Sequence, residues 1–163
     1  NVLPGFAQEV LRVQAGDTGM LSGASGVGAI AGGILLARLG NVEYKSLLLF
    51  AMILLFGFSL ILFSITPIYL ISLVILFGVG VGFSNVISLM TTIFQLSTPP
   101  EYRGRLMGFL LVGAAFSFLG SYPIGLVADY YGWSISIGGS AVLMMLIAGV
   151  VRATVPALRN FRL

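Results

Sequence analysis

The sequence predicts an all-α membrane protein of five transmembrane helices, on three observations. Five apolar stretches of about 20 residues or more follow one another, and about 20 residues of helix cross a hydrocarbon layer about 30 Å thick. Hydrophobic residues make up 58% of the chain and charged residues 8%, with a mean hydropathy of +1.10, where a soluble domain carries about 25% charged residues. The few charges collect in the short segments between the stretches. Inside a bilayer the backbone must satisfy its own hydrogen bonds, so each stretch is expected to be a helix.

The spans fall at about Thr18 to Ala37, Ser46 to Ile65, Ile68 to Leu96, Leu106 to Ala128 and Ser134 to Val155. The first is dominated by small residues, with Ser25, Ala29, Gly33 and Ala37 recurring every four residues and Gly28 beside them. Such ladders let helix backbones approach closely, which is how helices associate in lipid. The second span is rich in Leu, Phe, Met and Ile, is small only near Gly57 and Ser59, and is expected to face lipid.

The third span carries "GVGVG" at Gly78, Gly80 and Gly82, then Ser84, Asn85, Ser88, Thr91, Thr92 and Gln95. At 100° per residue Ser84, Ser88, Thr91 and Gln95 fall within about 60° of one another, flanked by Asn85 and Thr92. Uncharged donors and acceptors on one face suit the wall of a solute path; the competing role is bonding between helices or back to the helix's own backbone. Asn85 is the strongest single candidate, because an amide near mid-membrane is costly unless used. The glycines lie within an apolar helix with no GK[ST] after them, so they form no phosphate loop; close packing or flexing is their expected role.

In the fourth span Gly113, Ser117, Ser121 and Gly125 repeat the small-residue ladder, with Gly120 beside it. The fifth, although interrupted by Gly138, Gly139 and Gly149, is mostly Leu, Met, Ile and Val and is again expected to face lipid. A shift of 92 residues superposes Gly16 on Gly108, Ser25 on Ser117, Gly28 on Gly120, Gly33 on Gly125 and Gly40 on Gly132. An odd number of crossings separates the two copies, so the repeat is inverted, as in many secondary transporters.

Charge orients the bundle. Arg38, Lys45, Arg103, Arg105, Arg152, Arg159 and Arg162 share one side and only Arg12 takes the other. This asymmetry makes the basic side, with the C-terminus, cytoplasmic. Glu43 and Glu101 lie inside, and Glu9, Asp17 and Asp129 outside, giving about +5 within and −2 without. The basic character therefore reports topology rather than nucleic-acid binding. Without cysteine or histidine the chain has no disulfide, thiolate or imidazole chemistry. No carboxylate sits mid-span, so an enzyme is not expected, nor a metal or cofactor. An external first segment without a signal pattern is expected to follow a further helix upstream of Asn1.

The segment "STPPEYRGRLMG" (Ser97 to Gly108) resembles the loop between helices ten and eleven of the major facilitator superfamily. "VLPGFAQEVLRV", "GILLARLGN" and "YPIGLVADYYG" resemble matching later parts of that family, particularly its bacterial enterobactin and macrolide exporter branch. The resemblance covers essentially the whole chain and implies helices eight to twelve, with Asn1 to Gly16 holding the outer end of helix seven. It implies a transporter of a bacterial inner membrane working by alternating access on a small solute, with an N-terminal helical bundle of the same protein as partner. The third span would be the cavity-lining tenth helix. Glu101, Arg103, Arg105 and Arg38 are then candidates for a cytoplasmic gate. The family's G-x-x-x-D-R-x-G-R-R loop is matched by Gly33, Arg38 and Gly40, but Ala37 replaces its acid and "NVEYK" its basic pair. Phe116, Phe118 and Tyr122 near the glycine face suit an amphipathic or drug-like solute. A channel or structural subunit of five free-standing helices is the alternative reading.

Overall fold

The computed structural model describes residues 15–39, 45–113, 125, 128, 130 and 132–154. Helices α1 (Ala15–Leu39), α2 (Lys45–Ile65) and α3 (Tyr69–Ser97) are followed by a 3-10 turn at Pro100–Tyr102, by helical residues 103–113 (the described stretch of α4), and by α5 (Trp133–Thr154). Among the described residues four helices, α1, α2, α3 and α5, are long and apolar enough to cross a membrane, and no strand occurs.

Local chemistry sets the boundaries. Helix α2 stops before Thr66-Pro67 because a residue preceding proline is pushed out of the α region. The Thr66 hydroxyl donates to the Leu62 carbonyl at 2.7 Å, covering an acceptor that the helix end leaves open. Thr98 is extended before Pro99 and ends α3, and its hydroxyl donates back to the Phe94 carbonyl at 2.7 Å. Before α5, Gly132 adopts φ +88°, a left-handed conformation that glycine takes without a Cβ penalty. Its N–H donates to the Ala128 carbonyl at 2.8 Å.

The contacts fix how the helices run. Tyr69 reaches the Asp17 carbonyl and Asn85 lies against Gly32, so α1 and α3 are parallel. Ser59 meets Gly78 and Phe56 meets Gly82, so α2 is antiparallel to α3. Ser64 meets Gly138, Gly57 meets Met145 and Arg152 lies over Phe50, so α5 is antiparallel to α2. One end of the bundle therefore collects Arg38, Lys45, Arg103, Arg105 and Arg152, all five described basic residues, while Asp17 lies at the other. We call these the basic and the opposite end.

Helix α3 is clasped from both sides at backbone distance. Residues two apart on a helix point about 200° apart, so "GVGVG" bares the backbone on both faces at once. Gly80 lies on the Ser25 carbonyl of α1, while Gly82 faces the Phe56 backbone and Gly78 the Ser59 hydroxyl of α2. On α1 the seam runs through Leu21, Ser25, Gly28 and Gly32. Leu21 is fully buried, Gly28 sits on the Phe77 carbonyl, and a side chain at Gly32 would come within 3.0 Å of Val81. Near the opposite end Leu21, Phe63, Leu76 and Ile137 form a core joining α1, α2, α3 and α5.

Two expectations are corrected. The packing face of α1 is not Ser25, Ala29, Gly33 and Ala37 as a whole. Gly33 and Ala37 are exposed and Gly33 has open space around it, because residues spaced four apart drift around the helix by about 40° per step and leave the seam after Ala29. Nor does α2 simply face lipid: it bridges α3 and α5, with Gly57, Ser59, Phe63 and Ser64 buried. Its Leu47, Leu55 and Phe58 stay exposed as an apolar strip.

Candidate functional site

The polar residues of α3 divide into two groups. Ser84, Ser88, Thr91 and Thr92 are partly buried and Gln95 is exposed, so they form a face that surrounding helices leave partly open. Helix α1 covers α3 down to Gly32; beyond it, of residues 33–39 only Leu36 is partly buried. The open face thus begins where α1 and α3 part and runs to the basic end.

The hydroxyls on this face are not equivalent. Thr91 donates to the Ile87 carbonyl and Thr92 to the Ser88 carbonyl, each at 2.8 Å. Those protons are spent on the helix's own backbone, leaving each oxygen able to accept. Among the described residues no side-chain hydrogen bond is made by Ser84, Ser88 or Gln95. Together the five side chains offer a solute uncharged donors and acceptors along about three turns of helix.

Asn85 belongs elsewhere. It is 2% exposed and wedged between α3 and α1, its amide nitrogen 2.8 Å from where a Gly32 Cβ would stand. The nitrogen donates to the Val81 carbonyl at 2.9 Å, while Oδ1 is buried without a partner. Its position about 100° around the helix from Ser84 turns it into the seam, and the missing side chain at Gly32 gives it room. In this structure Asn85 thus lies in the α1-α3 interface, apart from the other five polar residues of α3. Ser72, with its hydroxyl oxygen also buried and unpartnered, repeats that pattern nearer the opposite end.

At the basic end the gate candidates are exposed and loosely arranged. Arg103 Nε donates to the Thr98 carbonyl at 3.3 Å and Arg105 lies 6.0 Å from the Tyr102 ring centre. Arg38 and Glu101 are exposed, and among the described residues no ion pair joins Glu101 to any of the three arginines. Of the packing candidates, Gly28 is buried in the seam; Gly33, Gly113 and Gly125 have no atom within 4 Å of an added Cβ; Ser117, Gly120 and Ser121 lie outside the described residues, as do Phe116, Phe118 and Tyr122.

Sequence reading missed two features. One is Gly32, which makes room for Asn85; its signal was the seven-residue spacing Ser25-Gly32 bracketing Gly28. The other is Arg152, whose guanidinium lies 4.6 Å above the Phe50 ring, a cation–π pair joining α5 to α2. It had no signal, since nothing in a sequence aligns residues 102 positions apart.

Comparison with known proteins bears on what this arrangement serves. The family model described as Major Facilitator Superfamily matches residues 1–161. Macrolide efflux protein A of Streptococcus pyogenes is 35% identical over 105 residues, which cover 61% of this chain and 24% of that protein. Macrolide efflux protein A of Enterococcus faecalis is 35% identical over 104 residues, covering 61% of this chain and 30% of that protein. The chain thus spans about a quarter to a third of the curated relatives it matches. No solved structure matches it.

Proposed function

The chain belongs to the major facilitator superfamily, and from that premise we propose that it is part of a secondary transporter exporting small amphipathic or drug-like solutes across a bacterial plasma membrane. The observation that carries this reading is the half-open polar face of α3. Ser84, Ser88, Thr91, Thr92 and Gln95 are set on an otherwise apolar membrane helix and left partly uncovered by its neighbours. A buried, purely structural polar stripe would be covered along its length, as Asn85 is.

In this reading the basic end is cytoplasmic, following the positive-inside asymmetry. The solute is held weakly by uncharged groups, which allows release as well as binding. Alternating access turns a bundle containing α1 to α5 against an N-terminal bundle of the same protein, so that the polar face opens first to one side and then to the other. The close-packed α1-α3-α2 slab suits that motion, because backbone-to-backbone contacts resist deformation and carry the polar face as one piece. The efflux relatives support export and a macrolide-like solute as the first to try. Arg38, Glu101, Arg103 and Arg105 would lie at the cytoplasmic mouth.

The test is macrolide or fluorescent-dye accumulation in a pump-deficient bacterium expressing the complete reading frame. Expression should lower accumulation, and Ser88→Leu should restore it while membrane insertion is unchanged. Accumulation that neither the parent nor Ser88→Leu alters removes the reading.

A further inference from the structure

Helix α1 changes character at one point. Down to Gly32 it is clasped: Leu21 is fully buried, Gly28 sits on the Phe77 carbonyl, and Gly32 lies against Val81 and the buried Asn85 amide of α3. Beyond Gly32 the same face turns from glycine to leucine. Gly32 and Asn85 are 53 positions apart, and so are Leu39 and Thr92, seven residues further along each helix. Seven residues bring a helix face round to within about 20° of where it began, so in a seam that ran on, Leu39 would meet Thr92 and Leu35 would meet Ser88. Instead Ile34, Leu35 and Leu39 are about half exposed, Ser88 and Thr92 are only partly covered, and of residues 33–39 only Leu36 is partly buried. Leucine side chains standing where glycines stood hold the helices apart, which is why the seam ends there.

The tandem Gly32-Gly33 sits on that boundary, and its two glycines differ. Gly32 is required by packing, since its Cβ would stand 2.8 Å from Asn85 Nδ2 and 3.0 Å from Val81. Gly33 has nothing within 4 Å of an added Cβ and lies inside a continuous α-helix without a positive φ, so neither close approach nor a special conformation calls for it. Glycine inside a helix is destabilising relative to alanine because its backbone is freer; that freedom is what Gly33 supplies. Other uncrowded glycines are held on both sides. Gly19, Gly23 and Gly26 lie within the clasped stretch of α1, and Gly139 lies between the Ser64-Gly138 and Gly57-Met145 contacts that pin α5 to α2. At Gly33 a held segment gives way to a loosely covered one.

We propose that Gly32-Gly33 is a hinge and that residues 34–39 form a lid over the basic half of the polar face of α3. Sharp helix kinks, above about 20°, have identifiable causes, and pairs of very small residues are one of them. Leu39 lies six residues, about 9 Å, beyond Gly33, so a kink of about 20–30° carries its backbone about 3–4.5 Å. Bending toward α3 sets Leu35 over Ser88 and Leu39 over Thr92. The Thr92 hydroxyl already donates to the Ser88 carbonyl at 2.8 Å, so leucine can cover it without orphaning a donor. The closed lid shuts the face off from the basic end, and the open one, as in this structure, leaves it accessible. The lid rests on the reading of that face as a solute path, whereas the hinge does not.

Spin labels at Leu39→Cys and Ser97→Cys, in the protein expressed from its complete reading frame and freed of any other cysteine, read the hinge as the distance between them by electron paramagnetic resonance. Two populations differing by about 3–4.5 Å are expected, and Gly33→Ala should leave one. A control pair on the clasped stretch, the exposed Val27→Cys with the exposed Val74→Cys, should give one population in both backgrounds. A single Leu39-Ser97 population in the parent overturns the hinge, and so do two populations that Gly33→Ala leaves unchanged. Efflux is measured on the same proteins. A fall in efflux with Gly33→Ala at an unchanged melting midpoint supports the lid, and undiminished efflux once the second population is gone overturns it. A parent that exports nothing removes the transporter reading and the lid with it, while the two populations still decide the hinge.

Discussion

Gly80→Ala adds one methyl group at a point where α1 and α3 meet backbone to backbone. The new Cβ would fall on the Ser25 carbonyl oxygen, with the Ser25 carbonyl carbon at 2.8 Å and the Ala29 nitrogen at 3.0 Å. Comfortable heavy-atom contacts lie near 3.5–4.0 Å, so the two helices must separate by about 1 Å. No side chain can move aside, because every atom met is backbone. A radial gap of 0.5–1 Å forfeits about a quarter to a half of each dispersion contact, and the whole seam from Leu21 to Gly32 shares the shift. Overpacking of this kind costs about 1–3 kcal/mol. Gly33→Ala, one position past the seam, is the matched control, since its Cβ meets nothing within 4 Å; a change of no more than about 0.5 kcal/mol is expected there. Gly57→Ala should fall between them, because its Cβ would meet the Met145 side chain, Cγ at 2.6 Å and Sδ at 2.8 Å, which can swing away. The assay is reversible denaturant unfolding of the complete protein in mixed micelles. Equal stabilities for Gly80→Ala and Gly33→Ala would refute the close-packed seam.

Three further outcomes are expected. Asn85→Leu replaces a buried amide that has one unpartnered oxygen by an apolar group of similar size, so stability should change by no more than about 1 kcal/mol and transport should persist; strong loss of efflux with stability intact would return Asn85 to the solute path. A double-mutant cycle of Arg152→Gln with Phe50→Leu should give a coupling of about 0.5–1 kcal/mol in thermal unfolding, and a coupling near zero would remove the cation–π pair. Because the sequence holds no cysteine, single cysteines report sidedness directly: Gly104→Cys should react with an impermeant maleimide only from the cytoplasmic side and Thr66→Cys only from outside, and the reverse pattern would invert the assigned orientation.

What could be read from the sequence follows a physical division. Membrane helices and the sidedness of charge are sums of single-residue transfer energies, which need no knowledge of neighbours. That is why the apolar runs correspond to α1, α2, α3 and α5, and why Arg38, Lys45, Arg103, Arg105 and Arg152 share one end. Family membership was legible for a related reason, since "STPPEYRGRLMG" is a contiguous string. Interfaces are products of two surfaces and were legible only where one surface announced itself. "GVGVG" did so, because glycines spaced by two bare a helix on both sides. The α1 ladder misled, because spacing by four matches several faces over a short run and only the partner selects one. The place of Asn85 in the seam was not legible for the same reason: its cost in lipid marked it as used, but its burial against Gly32 depends on a residue 53 positions away.

The division also explains why the polar face and the seam lie on one helix. Gly78, Gly80 and Gly82 lock the first half of α3 between α1 and α2, while Ser84, Ser88, Thr91, Thr92 and Gln95 occupy the half from which α1 withdraws. A helix held rigidly along its whole length could not leave a polar face open, and one held nowhere could not position it. Placing backbone contacts on the near side of Gly32 and hydroxyls beyond it separates anchoring from exposure along a single axis. If that separation matters to function, tightening the seam and altering the face should give different signatures. Gly80→Ala should lower stability and efflux together, whereas Ser88→Leu should lower efflux alone. Efflux losses that track stability across both variants would reduce the polar face to one more element of packing.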